Sequence, residues 1–134
     1  MLFSTKTVIT TKDQNMVQSL NTTVFITVSG VSFLGIGGKV GKFLVGDQAI
    51  EFYNDINPND YIQIPWNTIN QIGANVSRHK VSRHFEILTP QGKFLFASKH
   101  SGKILKIARD HIGNDKVVKL PTLIQLIIKK LFRK

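Results

Sequence analysis

Apolar and polar residues alternate along most of the chain up to residue 98, and helical spacing takes over after it. Residues 22–30, TTVFITVSG, are rich in β-branched side chains and stop at a glycine, which predicts a strand. KFLV and AIEFYN flank Gly46 and Asp47. A two-residue turn there puts Phe43, Val45, Ile50 and Phe52 on one face of a hairpin, with Lys42, Glu51 and Tyr53 on the opposite, wetter face. NDINPND is a loop, since its Asn and Asp side chains accept turn hydrogen bonds and Pro58 lacks a ladder donor. YIQIP is a short strand with Ile62 and Ile64 on one side, followed by Trp66, the single tryptophan, as a core anchor. Residues 69–77 carry a weaker pattern, a strand or a helical turn leading into one. RHKVSRH has the composition of an exposed basic hairpin tip, and HFEIL and KFLFAS then alternate around TPQG, whose Pro and Gly suit a type I turn.

The period changes at Ser98. Ile104, Leu105, Ala108 and Ile112 recur at helical spacing, with Ser98 or Ser101 as the expected N-cap and Gly113 at the end. Beyond NDKVVKL, Pro121 suits the first position of a second helix, TLIQLIIKKLFRK. On a helical wheel Leu123, Ile124, Ile127, Ile128 and Leu131 make a broad apolar face, and Gln125, Lys129 and Arg133 lie opposite. Such a helix rises only about 20 Å, short of a hydrocarbon layer about 30 Å thick, so it is suited to lie on a membrane or in a groove rather than to span. About seven short strands and then an amphipathic helix predict a mostly β fold with C-terminal helices, a small antiparallel barrel or sandwich closed at one end by a helix. The expected organisation is a polar, mobile extension over residues 1–15, one domain over 16–113, and a linker with a basic amphipathic helix over 114–134. Met16, which opens the better-patterned segment, is an alternative start.

Charge sharpens this division. Residues 1–60 carry four lysines against five acids, whereas residues 61–134 carry fourteen Lys or Arg against three acids. The basic half therefore calls for an anionic partner: an acidic protein, an anionic membrane surface or nucleic acid. The chain has no cysteine, which removes disulfides and thiolate chemistry and fits a reducing cytosol.

Candidate chemistry is sparse. Gly35, Gly37, Gly38 and Gly41 invite a phosphate-binding reading, but G-x-G-x-x-G from Gly35 meets Val40, and the P-loop pattern ending at Gly41 and Lys42 meets Ile36 and then Phe43. A bend with close backbone approach is the plainer account. His79, His84, His100 and His111 lack metal-ligand spacing and are expected to be solvated or structural, and Glu51, Asp55 and Asp60 to be turn or surface acids. Two groups carry a binding signal. Arg78, Lys80 and Arg83 are candidate contacts for an anionic partner, weighed against a solvated tip. Leu123, Ile124, Ile127, Ile128, Lys129, Lys130, Leu131, Arg133 and Lys134 are candidate contacts for a membrane or membrane protein, weighed against packing on the chain's own domain. No catalytic residue, metal or cofactor is expected.

The sub-pattern IPW-x-x-I-x-x-I, then an F-x-I hairpin with F-x-F, then a helix resembles PH-like barrels of the GRAM type. LGIGGKVGK, GDQAIEFYND and DYIQIPW resemble the signature of the ManO family, with MVQSLNT, RHFEILT and KFLFASK extending the likeness over about residues 16–118. Members of that family are small proteins encoded beside mannose-type phosphotransferase transporters in Gram-positive bacteria and described as regulators of the mannose operon. The resemblance implies a non-enzymatic regulatory or adaptor protein on the cytoplasmic side of the sugar transporter, peripheral to the membrane, with transporter subunits as partners. The alternative it leaves open is a transcriptional regulator binding operon DNA, for which the sequence offers charge but no helix-turn-helix, zinc finger or basic zipper.

Overall fold

A computed structural model describes residues 8–10, 16–34 and 37–120 of the 134. Val8–Thr10 (β1) and Met16–Gln18 (β2) pair antiparallel, so the stretch expected to be a mobile extension contains a strand. Seven strands follow: Val24–Ser32 (β3), Lys39–Gly46 (β4), Ala49–Asn54 (β5), Tyr61–Pro65 (β6), Gln71–Ser77 (β7), Lys80–Thr89 (β8) and Gly92–Ala97 (β9). The helix Ser101–Ile112 (α1) and a last strand, Val117–Leu120 (β10), complete the described chain.

β4 and β5 pair in the register that their alternation dictates. Val45 lies opposite Ile50 and Phe43 opposite Phe52, and all four are buried. The turn itself is Asp47 and Gln48 rather than Gly46 and Asp47, because Gly46 is the last residue of β4. Trp66 anchors the core as expected: it opens a single 3-10 turn, Trp66–Thr68, is 6% exposed, and donates its indole N–H to the Gly46 carbonyl at 2.8 Å.

β3 to β10 form one sheet of eight strands in the order β10-β7-β8-β9-β3-β4-β5-β6. Every neighbouring pair is antiparallel except β10 with β7. The sheet is strongly curled. A flat sheet would hold β5 and β9, three spacings apart, at about 14 Å, yet the Phe52 and Phe96 ring centroids are 5.9 Å apart. Phe43 meets Phe96 edge-on at 5.1 Å, and Phe85 closes the cluster. The curl does not close: β6 and β10 are both edges, so the expected barrel is an open sheet among the described residues. In this sheet eight strands stand where about seven were expected, and β1 and β2 pair apart from it.

α1 packs Ile104, Leu105 and Ala108 into this core and ends at Gly113, whose φ of 95° suits a glycine. Neither expected serine caps it. His100 is the N-cap residue; Ser98 donates to the Ser29 carbonyl and Ser101 to the Ser82 carbonyl. The segment expected to be a linker is also structured. Val117 lies opposite Ile72 and Leu120 opposite Asn75 in the parallel pair, and the Asn75 side chain donates to the Leu120 carbonyl at 3.1 Å.

Candidate functional site

Strand alternation sends Glu51 and Tyr53 to the outer face of β5, away from the core. Both are nevertheless buried, at 0% and 3% exposure, because residues 18–23 return across this face. Glu51 is therefore not the surface acid the pattern predicts. Its carboxyl oxygens accept from the Ser19 hydroxyl, the Leu20 N–H at 2.7 Å and the Asn21 side-chain amide at 3.3 Å. Asn21 in turn accepts the Gln48 and Ala49 N–H groups, both at 2.8 Å. Gly46 makes room for this seal, since a Cβ there would lie 2.3 Å from the Thr23 carbonyl oxygen. The Tyr53 hydroxyl accepts from Gln63, which also donates to the Gln18 carbonyl. Burial pushes the Tyr53 phenol up to about 12; the Gln63 hydrogen bond works against this and the nearby Glu51 carboxyl adds to it.

Asp47 fastens the same segment from the turn. Burial pushes its carboxyl up, but hydrogen bonds from the Thr22 side chain, the Thr23 N–H, the Gln48 side chain and the Thr22 N–H outweigh that and hold it at about 2. Asp55 and Asp60 do lie at the surface, paired with Lys42 at 3.0 Å and Lys39 at 2.8 Å.

The outer face of β8 and β9 is built differently. Lys93-Phe94-Leu95-Phe96 alternates in direction as expected but not in polarity: Leu95 points outward, opposite Glu86, where it stays 45% exposed. Phe33 stacks on His84 with ring centroids 5.7 Å apart. Together with Asn75 and Leu120 these residues line a groove of about 430 Å³ that runs across the strands. A second groove of about 440 Å³ shares His84 and follows the gap beside β9, where only Val31 and Ser32 of β3 pair across to Ala97 and Phe96. Arg83, Lys99 and Val40 line it. The glycines of this corner serve close approach: Gly30 lies opposite Gly41, and a Cβ on Gly30 would sit 2.2 Å from the Phe43 ring.

The three candidate cations do not form one patch. Arg78 and His79 are the two turn residues between Ser77 and Lys80, with φ of 52° and 65°. That hairpin turn favours Asn and Gly, so both side chains sit in a costly backbone region. Arg78 and Lys80 occupy this exposed tip, while alternation turns Arg83 to the other side of β8 from Lys80, into the second groove. Leu123, Ile124, Ile127, Ile128, Lys129, Lys130, Leu131, Arg133 and Lys134 lie outside the described residues. Among the described residues no helix is long and apolar enough to cross a membrane.

Sequence reading missed a third concavity, a cleft of about 590 Å³ between the β4–β5 turn and the end of α1, lined by Leu20, Trp66, His111 and Lys116 among others. His111 stacks on Trp66 at 5.1 Å and 15°. Its Nδ1 lies 2.9 Å from the Ile107 carbonyl, which can only accept, so Nδ1 carries the hydrogen. Its apolar wall is legible in the single Trp, but the meeting of that Trp with a histidine 45 positions away is not. His84 and His111 thus have ring-packing roles. Among the described residues no group of three or more His, Asp or Glu side chains is placed to hold a metal ion.

The sequence profile of a domain of unknown function (DUF956) matches residues 16–131. No curated protein matches the chain. Among solved structures, the C-terminal domain of an unknown protein from Leishmania infantum is similar, with a TM-score of 0.57 over 67% of this chain and 84% of that one at 12% identity. That likeness is one of fold alone.

Proposed function

The chain belongs to the DUF956 family, and from that premise we propose that it is a non-enzymatic adaptor that docks on the cytoplasmic side of a mannose-type phosphotransferase transporter and regulates it. The observation that carries this reading is a pair of grooves that share His84: Phe33 and Leu95 stand exposed in one, and Arg83 and Lys99 line the other. Apolar anchors in one groove and cations in the groove next to it fit a protein surface that carries both apolar and acidic side chains. The ManO resemblance of LGIGGKVGK and DYIQIPW supplies the transporter. A PH-like descent is supported by the order of seven strands, β3 to β9, followed at once by α1.

The test is retention of transporter subunits by the tagged chain from gently solubilised membranes of a Gram-positive bacterium, identified by mass spectrometry. Recovery that falls at least tenfold with Leu95→Asp supports the adaptor. Failure to retain any subunit, together with preference for operator over random DNA in a gel shift, overturns it in favour of a transcriptional regulator.

A further inference from the structure

We propose that the groove on the outer face of β8 and β9 is the seat of the chain's own C-terminal segment, residues 121–134, in the free protein. The described chain ends inside this groove. Leu120 is one of its lining residues, its carbonyl is held by Asn75, and its side chain lies over Gly73, where a Cβ would be 2.6 Å away. The next residues therefore start at the groove with no linker to cross.

Length and pattern fit as well. Fourteen residues as a helix reach about 21 Å, and the span from β10 across β7, β8 and β9 to β3 is four strand spacings, about 19 Å. The apolar stripe of Leu123, Ile124 and Ile127 has the chemistry that the exposed Phe33 and Leu95 lack as a cover. A tethered segment also meets its site at an effective concentration in the millimolar range, well ahead of a second copy or a membrane. The molecule already uses this device once: residues 18–23 fold back over the outer face of β5. This seat goes beyond the adaptor reading and does not depend on it; if both hold, the transporter must displace the segment to reach the groove.

The cysteine-free chain allows a direct test. Leu95→Cys with Ile124→Cys, and His84→Cys with Ile124→Cys, are treated with a short bismaleimide in dilute purified protein. Ile56→Cys with Ile124→Cys is the control, because Ile56 is 95% exposed on the β5–β6 loop. Thermal melting verifies that each pair folds. The expected result is crosslinking within one chain at least tenfold faster for the two groove pairs than for the control. Equal rates for all three, crosslinks only between chains, or groove crosslinks that form only once anionic vesicles are added would each overturn the proposal. No transporter is present, so this outcome is independent of the pull-down.

Discussion

Over β5 the outward side chains are Glu51 and Tyr53, and both lie buried beneath residues 18–23; over β8 and β9 they are His84, Glu86 and Leu95, and Leu95 stays nearly half exposed. The acid is covered and the leucine is open, the reverse of what residue type alone would give. The cover over β5 works because every donor brought down finds an acceptor. A buried carboxyl without such partners would cost several kcal/mol, so this seal is specific to Ser19, Leu20 and Asn21. An apolar groove sets no such condition. It accepts any segment with a matching stripe, which is what a surface used for exchange between partners requires.

Breaking the covered face should have the largest effect. Glu51→Ala strips the acceptors from three donors and is expected to lower the unfolding free energy by about 3 kcal/mol in urea denaturation. A loss under about 0.5 kcal/mol would mean that the seal is ornamental. Asn21→Ala leaves the Gln48 and Ala49 N–H groups unpaired and should cost about 2 kcal/mol by the same measurement. At the tip of the open half, His79→Gly relieves a φ of 65° and should raise stability by about 1 kcal/mol.

Acid sharpens the contrast further. Asp47 titrates at about 2 in the folded chain against an ordinary 3.8, so folding favours its deprotonated form. Its contribution is complete above pH 3.8 and is lost as pH falls through about 2. Unfolding free energy measured across that window should slope for the parent and be flatter for Asp47→Asn; parallel slopes would remove Asp47 from the seal. The smallest effect belongs to the open face. Leu95→Ser should change the stability of a chain ending at Leu120 by under about 0.5 kcal/mol, and the full chain by more than that, if residues 121–134 take the seat proposed for them.

Much of the inner face was legible in the sequence. Phe43, Val45, Ile50 and Phe52 are set by local alternation, and Ile104, Leu105 and Ala108 by helical spacing, since each depends only on neighbours along the chain. Glu51 was not legible, because its burial depends on Ser19, 32 residues earlier, and alternation marks both Glu51 and Lys42 simply as outward. β10 escaped for the same reason. Its pairing with β7 is parallel and spans 45 residues, so no turn announces it. The open groove did leave a trace: Phe94-Leu95-Phe96 is apolar at three successive positions, which strict alternation forbids, and the middle one is the outward Leu95.

The same long spans order events in time as a ribosome delivers the chain. Ser19 and Asn21 emerge well before Glu51, yet the hairpin that presents Glu51 is complete once Asn54 is out, so the β5 seal can form while the second half of the protein is still being made. β7 has no such early partner on its free side. Ile72 waits for Val117, and until then its edge offers unpaired N–H and C=O groups to any strand nearby. A nascent chain stalled between Ala97 and Val117 would carry a finished seal on one side and a sticky edge on the other, which makes the last described strand the guard against misassembly during synthesis.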